Sequence, residues 1–465
     1  MAVVGGGVTG LAAAWFLRDT ADVMLLEASH RLGGKIATME MAGVPVEAGP
    51  DTFLARVPEA TDLCRAVGLG DELVRPATGK AWVWTRGRLR PLPEGHVLGV
   101  PTAAWPLVRS GVLSPRGMAR AALDLVLPRR PAAGPDPSVA EVVGARLGGE
   151  ILDRLVDPLV GGIHAGRSDG LSLAATAPQL AAGAASRSLV LGLRRQRAAR
   201  PPDDGPVFLG MADGLGRLVD RLRAELVPAG VEVRTRARVA SIRPEGKGWR
   251  LTGPDVPAVD VDAVVVTVPA FAAAGLVRAA CPAAAVELDA IGYASVAVST
   301  LGYRPAAVAH PLDGSGFLVP RVEGRLMTAC TWSTSKWPEL RRSGLVLLRP
   351  SAGRAGDERA VRLDDDELVG RLHRELAESV GVTEPPVERL VTRWMRAFPQ
   401  YQPGHAARVA GIESDLAGAM PGVVVAGAAY RGLGIAACVR QAGEAAQAVL
   451  AHSTAPARDF PPSAG

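Results

Sequence analysis

Lysine is nearly absent from the 465-residue chain: Lys35, Lys80, Lys247 and Lys336 are the only ones, so arginine carries almost all the basic charge. Cysteine is scarce too. Cys64, Cys281, Cys330 and Cys438 lie far apart and form no CxxC, which argues against a disulfide framework or a thiolate metal site and for buried, reduced thiols. The seven histidines form no HxxxH pair, so no metal is expected. Aromatic residues make up only 4%. A net charge of +5 can favour anionic partners, but no dense basic run interleaved with aromatics accompanies it, which excludes nucleic acid as the expected partner. Long apolar runs are missing. The least polar stretch, 170–186, is Ala-rich and broken by Pro178 and Gln179, so no spanning helix is expected and membrane contact is at most peripheral. No charged leader precedes the first glycine, and a cytoplasmic protein is expected.

What is present is a large apolar reserve, 48% of residues, and glycine in two telling places. Ala2-Val3-Val4 reads as a buried strand and runs into Gly5-Gly6-Gly7-Val8-Thr9-Gly10, a GxGxxG, before a helix-forming segment. Val23 to Leu26 is a second strand ending at Glu27, 22 residues after Gly5. In such a βαβ unit Gly5 permits the tight turn, Gly7 lets a pyrophosphate approach and Gly10 lets helix and strand pack. The helix N-terminus favours an anion by about 0.3–1 kcal/mol. Glu27 stands where an acid meets ribose hydroxyls. A glycine-rich turn without ligand is the alternative. Val423 to Leu450 repeats the pattern of strand, glycine-rich turn and Ala-rich helix, more than 400 residues later.

Glu27-Ala28-Ser29-His30-Arg31-Leu32-Gly33-Gly34-Lys35 resembles the FAD-dependent amine oxidase superfamily. The resemblance implies FAD, with Ala28, Arg31, Gly34 and Lys35 around its adenosine and pyrophosphate. It also implies a turn, Gly49-Pro50-Asp51-Thr52, against the flavin ring. Further stretches resemble the porphyrinogen oxidase branch: WTRGRLRPLPEGHVLGVP from Trp84, DPLVGGIHAGRSDGLSL from Asp157, MADGLGRLVDRL from Met211, RWMRAFPQYQPGH from Arg393 and GAAYRGLGIAACVRQAGEAA from Gly427. In that family the C-terminal unit closes back onto the N-terminal one. This implies that Leu433, Gly434 and Ile435 meet the flavin ring, that Trp394 lies near the cofactor, and that Val239, in the strand-like RTRARVASI, meets the adenine. Gly427 is followed by Ala428 where many members of the superfamily carry an acid.

The implied fold is α/β: a Rossmann-like FAD-binding domain (1–75, 205–270 and 390–465), an antiparallel-sheet substrate domain (76–94 and 271–389) and a helical lobe (95–204) with possible membrane contact. The implied reaction is oxygen-linked, six-electron oxidation of a porphyrinogen, releasing hydrogen peroxide. Coproporphyrinogen III is favoured over protoporphyrinogen IX by the basic balance and the missing anchor. A ferrochelatase-type enzyme is the implied transient partner. Lys80, Arg86, Arg88, Arg90 and Arg431 are candidates for substrate carboxylates, with solvated charge or ion pairing as the alternative. Met327 and Trp332 are candidate pocket walls, with core as the alternative. No residue is named as a catalytic base. A generic amine oxidase would need an aromatic cage at the flavin, and Tyr430 alone stands near the turn. A flavin-binding protein without turnover is the remaining alternative.

Overall fold

The computed structural model describes residues 1–127, 134–199 and 205–454. Five short strands form a parallel sheet in the order Glu232–Arg234, Met24–Leu26, Ala2–Val4, Val264–Val266, Val423–Val425. All but the edge strand Glu232–Arg234 are built of Val, Leu, Ala and Met, as a sheet covered on both faces requires. The helices Val8–Leu17 and Ile435–Thr454 pack side by side on one face. Both present alanine there, Ala12 to Ala14 against Ala442, Ala445 and Ala446, all buried. Small side chains let the two helix axes approach closely. The C-terminal unit therefore adds a strand and a helix to the domain that the N-terminal unit begins.

A second sheet of seven strands runs in the order Glu388–Pro399, Tyr293–Tyr303, Val346–Ala352, Met327–Trp332, Gly316–Leu318, Trp82–Thr85, Arg88–Pro91. One face packs under the helix Asp365–Val380 through Leu368, Leu372 and Leu376. That helix is well specified locally. Asp364 caps it by accepting from the Glu367 amide at 2.8 Å, three acids fill its first turn, and Gly381 ends it at φ +68°. The other face of the sheet turns towards the nucleotide-binding half.

Two expected boundaries shift. Residue 390 falls inside the long strand Glu388–Pro399, which pairs along Tyr293–Tyr303 and so belongs to the seven-stranded sheet. The helices Ala270–Val277 and Pro282–Asp289, expected with the substrate domain, bury Ala273, Val277, Ala284 and Leu288 in the core of the parallel sheet. Their apolar faces match that sheet's Val264 and Val266.

Residues 104–127 and 134–199 are mainly helical and share a core with Val83 and Val100. A buried ion pair, Arg146 to Asp124 at 2.7 Å, braces this lobe, with Ser188 also donating to Asp124. Within it Leu152–Gly161 is a π-helical stretch containing Pro158, whose missing amide cannot serve an α-helical ladder. Part of the Pro/Gly break expected at 131–137, Arg200 of the 194–200 cluster and the tail from 455 lie outside the described residues.

Candidate functional site

Three glycine turns converge at the carboxyl edge of the parallel sheet. The first is Gly5 to Gly10. Gly5 has φ +111°, a conformation that favours glycine, and a Cβ on Gly10 would overlap the Gly5 carbonyl oxygen. Gly7 differs: the space where its Cβ would lie is open, with only Gly34 Cα at 4.0 Å. The helix behind it has no side-chain cap and no acid in its first turn. An open cradle at an uncapped helix start fits a pyrophosphate. Val8 is half-buried in that first turn, and Thr9 is buried beneath it.

Glu27 stands beside this turn. Its carboxylate accepts from the Gly6 amide at 2.6 Å and the Ser29 amide at 2.7 Å. Ala28 is exposed next to it. The segment that follows folds back, with Gly33 N–H donating to Gly6 C=O at 2.8 Å. Arg31 fastens this loop from within, donating to the Gly34, Ile36 and Leu32 carbonyls at 2.7, 3.1 and 3.2 Å. Its two terminal nitrogens are engaged by backbone carbonyls, and Lys35 follows at the end of the loop. Burial pushes the Lys35 ammonium below its ordinary value, opposed by the neighbouring Cys438 sulfur.

That Cys438 belongs to the C-terminal helix, so the second turn already touches the first. Thr9 lies against Gly427, whose Cβ would sit 3.5 Å from the hydroxyl. Gly427 and Gly432 have φ of +130° and +122°. Leu433 is half-buried, Gly434 exposed and Ile435 buried at the helix start.

The third turn, 47–52, is held from the seven-stranded sheet. Trp394 donates its indole N–H to Ala48 C=O at 2.7 Å, and Arg349 donates to Gly49 C=O. A Cβ on Gly49 would overlap the Lys35 carbonyl. Asp51 pairs with Lys336 at 2.7 Å and accepts from Trp337. Burial alone would raise its carboxyl, but Lys336 and Arg349 prevail and hold it at about 2. Glu47 behaves oppositely. Burial dominates and pushes it to about 7, although the Leu215 amide and the Thr38 hydroxyl donate to it. A cavity of about 30 Å³, room for one or two waters, lies between Glu47, Asp51, Gly214, Trp337 and Arg349. Pro50 and Thr52 are half-buried at the turn's edge.

The family-like motif at 393–405 is a clamp on the C-terminal turn. Tyr401, 1% exposed, donates its hydroxyl to Ala428 C=O at 2.7 Å and accepts from the Gly432 amide at 2.9 Å. His405 stacks on Tyr401 with ring centroids 4.0 Å apart and bonds Tyr430 C=O at 2.9 Å. From the helix side, the Gln441 side chain accepts from the Gly427 and Arg431 amides. Tyr401, His405, Gln441, Lys336 and Arg349 were not singled out by sequence reasoning. Tyr401 and His405 stand inside a motif that was; Lys336 had only its rarity as a signal.

Several expected placements are corrected. Val239 is not in a strand. It follows a loop in which Arg236 and Ala237 amides donate to Ser29 and Glu27 carbonyls, and the next strand starts at Ser241. The loop still sits beside Glu27. Met327 and Trp332 are 1% and 0% exposed and pack in the core beneath the helix 365–380, so they are not pocket walls. Arg431 is engaged by Glu413, with Nε–Oε1 3.0 Å. Lys80 is exposed, paired with Asp313 and laid over the Trp82 ring at 4.6 Å. Arg86 pairs with Glu150, Arg88 is exposed, and Arg90 is half-buried with its Nε unpartnered among the described residues.

The family described as flavin containing amine oxidoreductase matches residues 8–450. The chain belongs to the flavin-containing amine oxidoreductase family. A flavin is its cofactor. Among members of this family, the coproporphyrinogen III oxidase of Bacillus subtilis (strain 168) is 36% identical over 472 residues, 97% of each chain. That of Mycobacterium tuberculosis (strain H37Rv) is 36% identical, covering 96% of each. Among solved structures, a protein of Exiguobacterium sp. 255-15 named for protoporphyrinogen oxidation matches with TM-score 0.86 at 33% identity, covering 96% of this chain and 98% of its own. The cyclohexylamine oxidase of Brevibacterium oxydans IH-35A shares the fold, with TM-score 0.69 at 18% identity over 97% and 98% of the two chains. No helix among the described residues is long and apolar enough to cross a membrane.

Proposed function

We propose that this flavin enzyme oxidises coproporphyrinogen III to coproporphyrin III in haem synthesis, in the cytoplasm. The observation that carries the reading is end-to-end likeness, at 36% identity over 97% of both chains, to a protein named for that reaction. It is joined to a site whose turns fit FAD. Bound there, FAD would supply two-electron acceptor chemistry; three hydride transfers, each closed by one O2, would give three H2O2 per porphyrin.

The chain's own residues bind and orient. The Gly5–Gly10 turn and Lys35 take the pyrophosphate, Glu27 the ribose, and the loop with Val239 the adenine side. The N-terminus of the helix Ile435–Thr454 would lend a bound flavin its partial positive charge, which would favour a reduced, anionic ring. Trp394 and Arg349 reach from the seven-stranded sheet to Ala48 and Gly49, so the substrate space adjoins that sheet face. A ferrochelatase-type enzyme is the partner class to which the product passes.

Protoporphyrinogen IX is the second reading, favoured by the Exiguobacterium protein's name and by a 29% identical chloroplastic protoporphyrinogen oxidase of rice. The test gives the FAD-loaded protein each porphyrinogen in air and follows porphyrin fluorescence and peroxide. Faster growth with coproporphyrinogen, with three peroxides per porphyrin, is expected. Preference for protoporphyrinogen installs the second reading, and growth with neither refutes both.

A further inference from the structure

The turn 353–357 follows the strand Val346–Ala352 and carries Arg354 between Gly353 and Gly356, which have φ of +101° and +77°. Two backbone bonds close it, Arg354 N–H to Asp357 C=O at 3.2 Å and the reverse at 2.9 Å. A third, Ala355 N–H to Ala165 C=O at 2.7 Å, ties it to the segment after the π-helical stretch. Ala355 packs with Ala165, Ala294 and Val296, a cluster that Trp394 and Phe398 also join. Arg354 is therefore held on a tethered turn next to the tryptophan that reaches the flavin-side turn.

Two carboxylates, Asp157 and Asp357, attract its charge, but neither bonds it. Arg354 is half-buried, and no described residue accepts a hydrogen bond from its guanidinium. The charged groups around it are Asp157, Asp357, Arg321 and Arg359. Asp357 is already gripped by Arg359 through bonds of 2.8 and 2.7 Å, and Asp157 accepts the Ser168 amide at 2.9 Å. Of the arginines nearby, Arg359 is committed to Asp357 and Arg167 to Asp169, while Arg321 is exposed and stands ready to share an incoming anion. Burying a cation without a bonded acceptor is unfavourable. A planar fork of free N–H donors matches a carboxylate in bidentate fashion.

We propose that Arg354 binds a propionate carboxylate of the substrate, and so helps select a carboxylate-bearing tetrapyrrole. This rests on the porphyrinogen reading above. The test uses FAD-loaded Arg354→Ala and Arg354→Lys. In the alanine variant KM for coproporphyrinogen III is expected to rise about 10- to 100-fold, with kcat nearly unchanged. Lysine should restore part of the loss. A second readout needs no turnover: quenching of coproporphyrin III fluorescence on binding should weaken by the same factor, while the tetramethyl ester binds alike to all three proteins. Melting temperature and flavin spectrum should stay near wild-type values, because the backbone bonds of the turn remain and the guanidinium removed is bonded to no described residue. An unchanged KM and porphyrin affinity in Arg354→Ala would overturn the proposal, as would equal weakening of acid and ester. Wild-type protein inactive on any porphyrinogen would instead sink the functional reading, so the two failures are distinguishable.

Discussion

Replacing Tyr401 with Phe removes one oxygen atom and keeps the ring that stacks on His405. The hydroxyl has two duties, donating to Ala428 C=O at 2.7 Å and accepting from Gly432 N–H at 2.9 Å. Both partners belong to the turn that leads into the C-terminal helix. Leaving a buried donor or acceptor unpaired costs roughly 1–3 kcal/mol each, so about 2–6 kcal/mol falls on this one turn. The turn relaxes in response, because Gly427 and Gly432 give it freedom and Gln441 holds it only by bonds of 3.3 Å or longer. If about 2 kcal/mol must be recovered when FAD orders the turn, its dissociation constant rises about 30-fold. Titration of apoprotein with FAD, followed by flavin fluorescence, measures this directly. A thermal melt of the apoprotein reports whatever share of the cost appears as lost stability. Wild-type FAD affinity together with a wild-type melt would refute the claim that Tyr401 clamps the turn.

Glu47 makes a pH prediction. Its folded-state value of about 7 lies above the 4.5 of an exposed glutamate, so its contribution to stability is fully present below pH 4.5 and is lost as pH rises through 7. Up to about 3 kcal/mol is at stake, and Glu47→Gln should flatten the melting temperature between pH 5 and 8 relative to wild type. Asp51 has the opposite sign: held near 2, it contributes above pH 3.8 and fails as pH falls through 2. Asp51→Asn leaves Lys336 and Arg349 without their carboxylate, and a loss of about 3 kcal/mol should appear in chemical denaturation at pH 7. Gly10→Ala drives a methyl onto the Gly5 carbonyl, and the purified variant should come without yellow colour, as should Gly10→Glu.

The paired strand–glycine–helix units were legible because their signal is local. A buried apolar triplet, a glycine turn and an Ala-rich helix announce themselves within about thirty residues. So was the carboxylate after the second strand, since its spacing from the glycines is set by the length of one βαβ unit. The Tyr401 bridge, the Lys336–Asp51 pair and the Trp394 bond to Ala48 were not. Asp51 and Lys336 are 285 residues apart in sequence, and no local pattern says which distant backbone carbonyl an indole will meet. RTRARVASI misled because its alternation suggests a strand, whereas only Glu232–Arg234 pairs before the chain turns aside to bond residues 27–29. The helices 270–289 were placed in the wrong half because alanine-rich helices carry no mark of which sheet they cover.

The order of strands in the parallel sheet has a consequence for how the protein is made. Ala2–Val4 needs Val264–Val266 on one side, and that strand in turn needs Val423–Val425. A growing chain thus releases its dinucleotide turn long before the strands that flank it exist. Only when the segment from Val423 to Thr454 has emerged can Val8–Leu17 gain its neighbouring helix and Thr9 meet Gly427. Contacts of such sequence separation are slow to form, and the early strands remain exposed to mispairing meanwhile. Messages cut short before residue 423 should yield polypeptide that neither retains flavin nor stays out of aggregates, however intact its GxGxxG.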